Sequence, residues 1–296
     1  MSKIKNIKIY SSKILKPKKI LILSDIHFSK KTLTSLNILK GQLKSSDFKP
    51  DFIILAGDII DSLSEINSYE SKEKLSEFLN LITNNIKTYV VLGNHDQMKR
   101  LGFDSWQSAD VSDYINILSS HSNITILENN KKHLFQEIEI GGFTPSINYY
   151  LENFESKEAY YKEFKENGAN LDFDKDKFSI FVSHDPISLL SLSTELKTCL
   201  NPNTDLTVSG HTHNGLVPYF LQPFMNHYGF VAPSLKHQLF PAHSYGTISK
   251  NNTIYLINGA VNSFAEFSLI NKIYGINYTN LELLPSKNAQ KLSLKK

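Results

Sequence analysis

"DFIILAGDIID", residues 51–61, sets the reading of the whole chain. Five apolar residues run unbroken from Phe52 to Ala56; Gly57 halts them and Asp58 follows. A strand with one wet face alternates apolar and polar residues. An unbroken run fits a strand buried on both faces, as in the interior of an α/β sheet. Four other stretches share the plan: "KKILILSDIH" (18–27), "TYVVLGNHD" (88–96), "FSIFVSHDP" (178–186) and "DLTVSGHTHNG" (205–215). Helical spacing lies between them, in Leu75, Phe78, Leu79, Ile82 and Ile86, and in Val111, Tyr114, Ile115 and Leu118. Strands alternating with helices predict an α/β fold with a largely parallel core. Ligands of such sheets bind beyond the carboxyl ends of the strands, where all five polar clusters fall.

Further out, residues 124–143 read as a hairpin turning at Asn129–Asn130, and residues 246–260 as another turning at Asn251–Asn252. Both suggest antiparallel additions and a second sheet. Residues 144–177 form an insertion with a helix expected from Glu155 to Glu166, stopped at Asn167–Gly168. Residues 215–242 are aromatic and punctuated by proline, an irregular loop that either walls a pocket or packs into the core. The last dozen residues read as a frayed tail. The expectation is one domain over 1–296, with its core at about 18–270.

Composition narrows the function classes. A net charge of +3 does not by itself imply nucleic acid or an anionic membrane. Arg100 is the only arginine, so bidentate phosphate clamps are nearly absent. Arg100 and Lys99 read as a solvated helix face. Cys199 is the only cysteine, which excludes an internal disulfide. No apolar run reaches the roughly 18 residues of a membrane span, and a cytoplasmic location is the expectation.

Glycine separates an apolar run from a ligand-type side chain at Gly57–Asp58, Gly93–Asn94 and Gly210–His211. The pairs Asp25/His27 and His211/His213 are spaced two apart, which in an extended segment points both side chains one way. Five of the ten histidines (His27, His95, His184, His211, His213) stand at strand ends. Singly, each reads as a turn residue. All five clusters in order, each after its own strand, read as a site.

"SDIH", "GDIID", "GNHD", "SHDP" and "GHTH" together resemble the signature of the calcineurin-like metallophosphoesterases over about residues 18–270. The chain is most similar to the bacterial group ending in GHTHGG; here Asn214 replaces the first of those glycines. The resemblance implies a four-layer α/β/β/α sandwich of two mixed sheets. It implies two divalent transition metals (Mn, Fe or Zn), one held by Asp25, His27, Asp58 and His213 and the other by Asp58, Asn94, His184 and His211. A mixed nitrogen and oxygen set argues against Ca²⁺ or Mg²⁺. Two divalent ions bring four charges; Asp25, Asp58 and a bridging hydroxide remove three. About +1 remains to attract a phosphate, and a neutral Asn94 preserves it.

The implied activity is hydrolysis of a phosphodiester or phosphomonoester by a metal-bridged hydroxide. His95 is the expected acid toward the leaving group, Asp96 the partner that orients it and raises its pKa, and Asp61 a supporting group. The expected substrate is a small-molecule or lipid-linked phosphate ester. Ser62 and Leu92, where the protein phosphatase branch carries arginines, disfavour that branch. A nuclease and a silent metal-binding scaffold are the rival readings. The Tyr149, Tyr150, Tyr160 and Tyr161 group reads as a lid or an interface.

Overall fold

All five unbroken runs form strands in the computed structural model. It describes residues 2–102, 105–151, 156, 158–159, 162, 166, 171–186, 204–218, 220–231, 239–263, 274–286 and 293–295. Strands β2 (Lys18–Leu23), β3 (Phe52–Ala56) and β4 (Thr88–Val91) lie parallel in one sheet. Strands β10 (Phe178–Ser183) and β11 (Leu206–Ser209) are parallel neighbours in another. Every residue of the five is buried except Lys19, which is why none alternates.

Further strands, some parallel and some antiparallel to their neighbours, complete both sheets. The first runs β15-β1-β14-β2-β3-β4-β7, adding β1 (Ser2–Ser11), β7 (Ile124–Ile126), β14 (Ile276–Pro285) and β15 (Ser293–Lys295). The second runs β12-β13-β11-β10-β9-β8, adding β8 (Lys132–Phe135), β9 (Ile138–Phe143), β12 (Gly246–Lys250) and β13 (Thr253–Ile257). Period-two geometry divides each strand between two cores. In β2, Ile20 and Ile22 meet Ile140, Ile180 and Val208 of the second sheet. Leu21 and Leu23 meet the helices α1 (Leu33–Ser45), α2 (Tyr69–Thr83) and α3 (Ser112–Ser119) through Leu36, Leu39, Leu75, Leu79, Tyr114 and Leu118. Each such side chain contributes about 1.5–3 kcal/mol by leaving water. On the far side of the second sheet, Leu171 and Phe173 lie over Gly141. The fold is the expected α/β sandwich of two mixed sheets, and among the described residues no helix is long and apolar enough to cross a membrane.

The helix α2, which carries the helically spaced Leu75, Phe78, Leu79 and Ile82, has its own start and stop signals. Ser68 accepts from Ser71 N in a capping box, and Asn84 ends the helix at φ +46. The 246–260 hairpin turns at Asn251–Asn252, both left-handed (φ +52 and +62), as a two-residue turn requires.

Other expectations need correction. Residues 124–143 are not one hairpin: β7 belongs to the first sheet, and Asn129–Asn130 carries the chain to the second. The hairpin there joins β8 to β9 through Gln136, at φ +55. The tail is not wholly frayed, because β15 pairs with Lys8–Tyr10. Arg100 lies on β5 (Met98–Arg100), which pairs with β6 (Trp106–Ser108), so it is no helix face. The expected Glu155–Glu166 helix falls largely outside the described residues, as do Tyr160, Tyr161, Cys199 and His237.

Candidate metal centre

The carboxyl ends of β2, β3, β4, β10 and β11 converge, and the seven ligand-type side chains follow them. His213 Nε2 lies 3.1 Å from Asp25 Oδ1 and 3.4 Å from His27 Nε2. His184 Nε2 lies 3.0 Å from Asp58 Oδ2 and 3.2 Å from His211 Nδ1. Asp58 Oδ2 is also 4.0 Å from His27 Nε2, between the two groups. Three sets of ligand atoms therefore cluster within 4.8 Å: Asp25/His27/His213, Asp58/His184/His211 and, joining them, His27/Asp58/His95. Asn94 adds a carbonyl oxygen that is buried without a hydrogen-bond partner.

Backbone carbonyls fix two of the imidazoles. His184 Nδ1 donates to Ala56 O at 2.8 Å, and His213 Nδ1 donates to Ser263 O at 2.9 Å. A carbonyl only accepts, so each Nδ1 carries a proton and each Nε2 is left facing the centre, where it could offer a lone pair to a metal. The backbone is strained to bring these groups in. Asp25, His27, Asp58, His211 and His213 all have φ between +48 and +67. Such conformations cost about 1–3 kcal/mol each for residues with a Cβ and gather at functional sites. Gly57, at φ +82, lets the chain leave β3, and a Cβ there would meet His184 Nδ1 at 2.5 Å.

The electrostatics suit cations. Burial pushes the Asp25 carboxyl up, but His213 and then His184 outweigh it and hold the group at about 2. Burial pushes the His184 imidazole down, but Asp58 and then Asp25 raise it to about 10. Without a cation, His184 therefore stays protonated and stands in for one. A raised imidazole contributes stability fully below its unfolded value near 6.5 and loses it as pH climbs toward about 10. The melting temperature of chelator-treated protein should fall between pH 6.5 and 10, while Mn²⁺ should restore it there by displacing that proton.

Expectations for the neighbouring residues divide. Asp61 is buried, with Oδ1 3.5 Å from His27 Nδ1, in the supporting place expected of it. Asp96 does not orient His95. Its Oδ1 accepts from Ile59 N and Ile60 N, and its Oδ2 from Gly93 N, so it ties the two motif loops together. The His95 ring is held instead by the Asp61 carbonyl, which accepts from Nδ1 at 2.7 Å. Nor is the His95 pKa raised: burial carries it down to about 4, while burial and Asp58 lift Asp96 to about 6. The cause is local geometry. His95–Gln97 is a 3-10 turn, where successive side chains diverge by about 120°.

The sequence reading missed one wall entirely and named the other only in passing. Trp106 stands edge-on to His95, with ring centroids 4.8 Å apart, and Arg100 lies 4.6 Å over its face. On the other side, Tyr150 of α4 (Ile147–Leu151) packs 5.7 Å from His211, its hydroxyl buried without a partner. Tyr149 beside it donates to Asp185 at 2.5 Å. Only an aromatic residue near a motif was visible in the sequence, and that signal is weak.

The sequence profile of the calcineurin-like phosphoesterases matches residues 18–215, from the start of β2 through the last histidine pair. The chain belongs to the calcineurin-like phosphoesterases. Within that family it is 24% identical over 260 residues to an uncharacterized metallophosphoesterase of Campylobacter jejuni, covering 87% of this chain and 57% of the relative. It is 28% identical over 227 residues to one of Helicobacter pylori, covering 73% and 50%. The chain thus spans about half the length of the curated relatives it matches. Among solved structures, the phosphopantetheinyl hydrolase of Mycobacterium tuberculosis overlaps 93% of this chain and 98% of its own, at 12% identity and a TM-score of 0.44. Membership of a phosphoesterase family and clustered metal-type ligands make the centre a candidate metal-binding site.

Proposed function

We propose that the chain hydrolyses a phosphodiester or phosphomonoester of a small molecule or lipid-linked phosphate, using two divalent transition metals. The observation that carries this reading is the donor set: two carboxylates, four imidazoles and one amide oxygen that lacks a hydrogen-bond partner. Asp25, His27, Asp58 and His213 would hold one ion, and Asp58, Asn94, His184 and His211 the other. Nitrogen and oxygen donors together fit Mn, Fe or Zn. Bound there, the ions would acidify a water and neutralise phosphoryl oxygens.

The protein's own groups supply the rest. Ala56 and Ser263 carbonyls keep lone pairs of His184 and His213 aimed inward. The neutral Asn94 keeps the centre net positive and so attractive to a phosphate anion. The Nδ1–H of His95 is committed to Asp61 O, which leaves Nε2 to take a proton and pass it to the leaving oxygen. Burial keeps that ring neutral, so it is the negative charge of a bound phosphate that holds the proton there. Trp106 and Tyr150 flank the centre with flat apolar surface, which suits an aromatic or lipid-linked group better than a bare phosphate.

Assaying bis-p-nitrophenyl phosphate and p-nitrophenyl phosphate with Mn²⁺ and with chelator tests the reading. Turnover only with metal is expected; none with any metal would leave a scaffold. Replacing His95 by Ala should keep the metals and lower turnover by about 10²–10⁴-fold. The loss should be larger for an alkyl than for a nitrophenyl ester, and an equal loss would remove the acid role. Tyr150→Phe should lower kcat/KM by about tenfold at unchanged metal content, the share of one hydrogen bond to a charged group. Unchanged kcat/KM would make the hydroxyl a bystander.

A further inference from the structure

The Asp25/His27/His213 half of the centre is completed by a segment that carries none of its ligands. Residues 258–263, "NGAVNS", follow β13 and run beside Ser24, Asp25 and Ile26. Asn258 Nδ2 donates to Ser24 Oγ and Val261 N to Ser24 O, both at 3.1 Å. Asn262 takes the next two carbonyls: its N donates to Asp25 O at 3.0 Å and its Nδ2 to Ile26 O at 2.6 Å. Ser263 O accepts from His213 Nδ1 at 2.9 Å. Gly259 closes on the residue after that histidine, since a Cβ there would lie 2.6 Å from Asn214 Nδ2. This strap thus joins the Asp25–His27 turn to the turn that carries His213.

The Asp25–His27 turn needs that support. Asp25 and His27 hold φ +50 and +49, strained backbone for residues with a Cβ. The N–H groups of residues 25–27 go to Gly57 O and Asp58 O, and the strap takes the Asp25 and Ile26 carbonyls on the other side. Asn262 is fully buried and its Oδ1 lacks a hydrogen-bond partner. A half-satisfied amide in the interior costs stability that an apolar side chain would not. What it supplies in return is the donor to Ile26 O, one residue from each ligand. The Asp58/His184/His211 half is held from within the strand ends: His184 Nδ1 donates to Ala56 O, Gly210 N to His184 O, and His95 N to Asp58 Oδ1.

On the two-ion reading of the site, we infer that Asn262 is a positioning residue for one ion only. It fixes Asp25 and His27 for the ion they hold with His213, and leaves the other ion to the strand ends. The two affinities are then set separately, and a loosened strap gives a protein that retains one ion.

Asn262→Leu tests it, because leucine keeps the shape, removes the donor and loses no bond at Oδ1. The metal-free full chain is titrated with Mn²⁺, the unbound ion being counted by electron paramagnetic resonance. One ion should bind about 10–100-fold more weakly than in the wild type, and the other should be unchanged. In the same protein without metal, hydrogen exchange followed by mass spectrometry should speed up severalfold across residues 24–28 and stay as it was across 180–186. If the leucine variant does not fold, the smaller Asn262→Ser serves for both measurements. Equal weakening of both ions would make the strap part of the general fold, and unchanged affinities would leave Asn262 no role in the site; either overturns the inference. A wild-type chain that bound no Mn²⁺ would instead sink the two-ion reading. The exchange contrast, which needs no metal, would then decide whether Asn262 holds the turn.

Discussion

Replacing Asp58 by Asn is expected to lower turnover by about a thousandfold or more and to cut metal content from about two equivalents to one or fewer. The substitution is nearly isosteric and keeps one oxygen to accept the His95 N–H, now 2.9 Å from Asp58 Oδ1. It removes the charge that sits 3.0 Å from His184 Nε2 and 4.0 Å from His27 Nε2. Asp58 clusters with His184 and His211 and also with His27, although Asp25 Oδ1 too comes within 3.9 Å of His184 Nε2. A metal contributes several kcal/mol of transition-state stabilisation. At about 1.4 kcal/mol per tenfold, that is a thousandfold. Elemental analysis after Mn²⁺ loading, with turnover measured on the same sample, checks it. Two full equivalents and near-normal turnover would refute the shared ligand. The fold should survive, because β3 and its packing are untouched, and far-UV circular dichroism should not change.

The parts of this architecture that were readable in sequence are those whose residues answer to one constraint. The five central strands are buried on both faces, so nothing interrupts "FIILA" or "YVV". The ligands follow because each strand end delivers its next polar residue to one edge. β1 stayed hidden because two demands cross in it. Ile9 and Ser11 point inward and Lys5 shares their face, while Ile4 is exposed, so the alternation reads out of phase. The helix α1 is blurred in the same way: Leu36 and Leu39 are buried, but Leu33 and Ile38 face water. The turn at Gln136 defeats composition, since Asn129–Asn130 nearby has the better turn chemistry and is used to change sheets.

The site shows a similar limit. Metal-type ligands are legible because their chemistry restricts residue type. Their supports are not: Ala56 and Ser263 act through carbonyls that every residue has. Trp106 arrives by a two-strand excursion that leaves no spacing to read. Asp96 shows that adjacency in sequence says little about adjacency in space. It neighbours His95 and serves Ile59, Ile60 and Gly93 instead.

Gly93→Ala should do what Asp58→Asn does not, losing both the metals and part of the fold. A Cβ at residue 93 would sit 2.1 Å from Asp58 Oδ1 and 2.7 Å from Asp58 N. Neither atom can give way. Oδ1 is held by His95 N, and Asp58 N belongs to a backbone already at φ +51. Residue 93 is pinned as well, its N–H by Asp96 Oδ2 at 2.9 Å and its carbonyl by Gln97 Nε2 at 3.1 Å. Two anchored segments are pushed apart at the point where the ligands meet. Overpacking of this kind costs about 1–3 kcal/mol, and the displaced Asp58 should carry both ions with it. Gly41→Ala, in exposed α1 with nothing within 4 Å of the added carbon, is the matched control. It should stabilise by about 0.4–1 kcal/mol. Denaturant unfolding of the metal-free proteins reads the first effect, and metal content reads the second. If Gly93→Ala unfolded at the wild-type midpoint and still bound two ions, the close approach of β4 to Asp58 would be no constraint on the site. The glycine in "GNHD" is therefore expected to act as a spacer for the carboxylate of a different motif, 35 residues earlier in the chain.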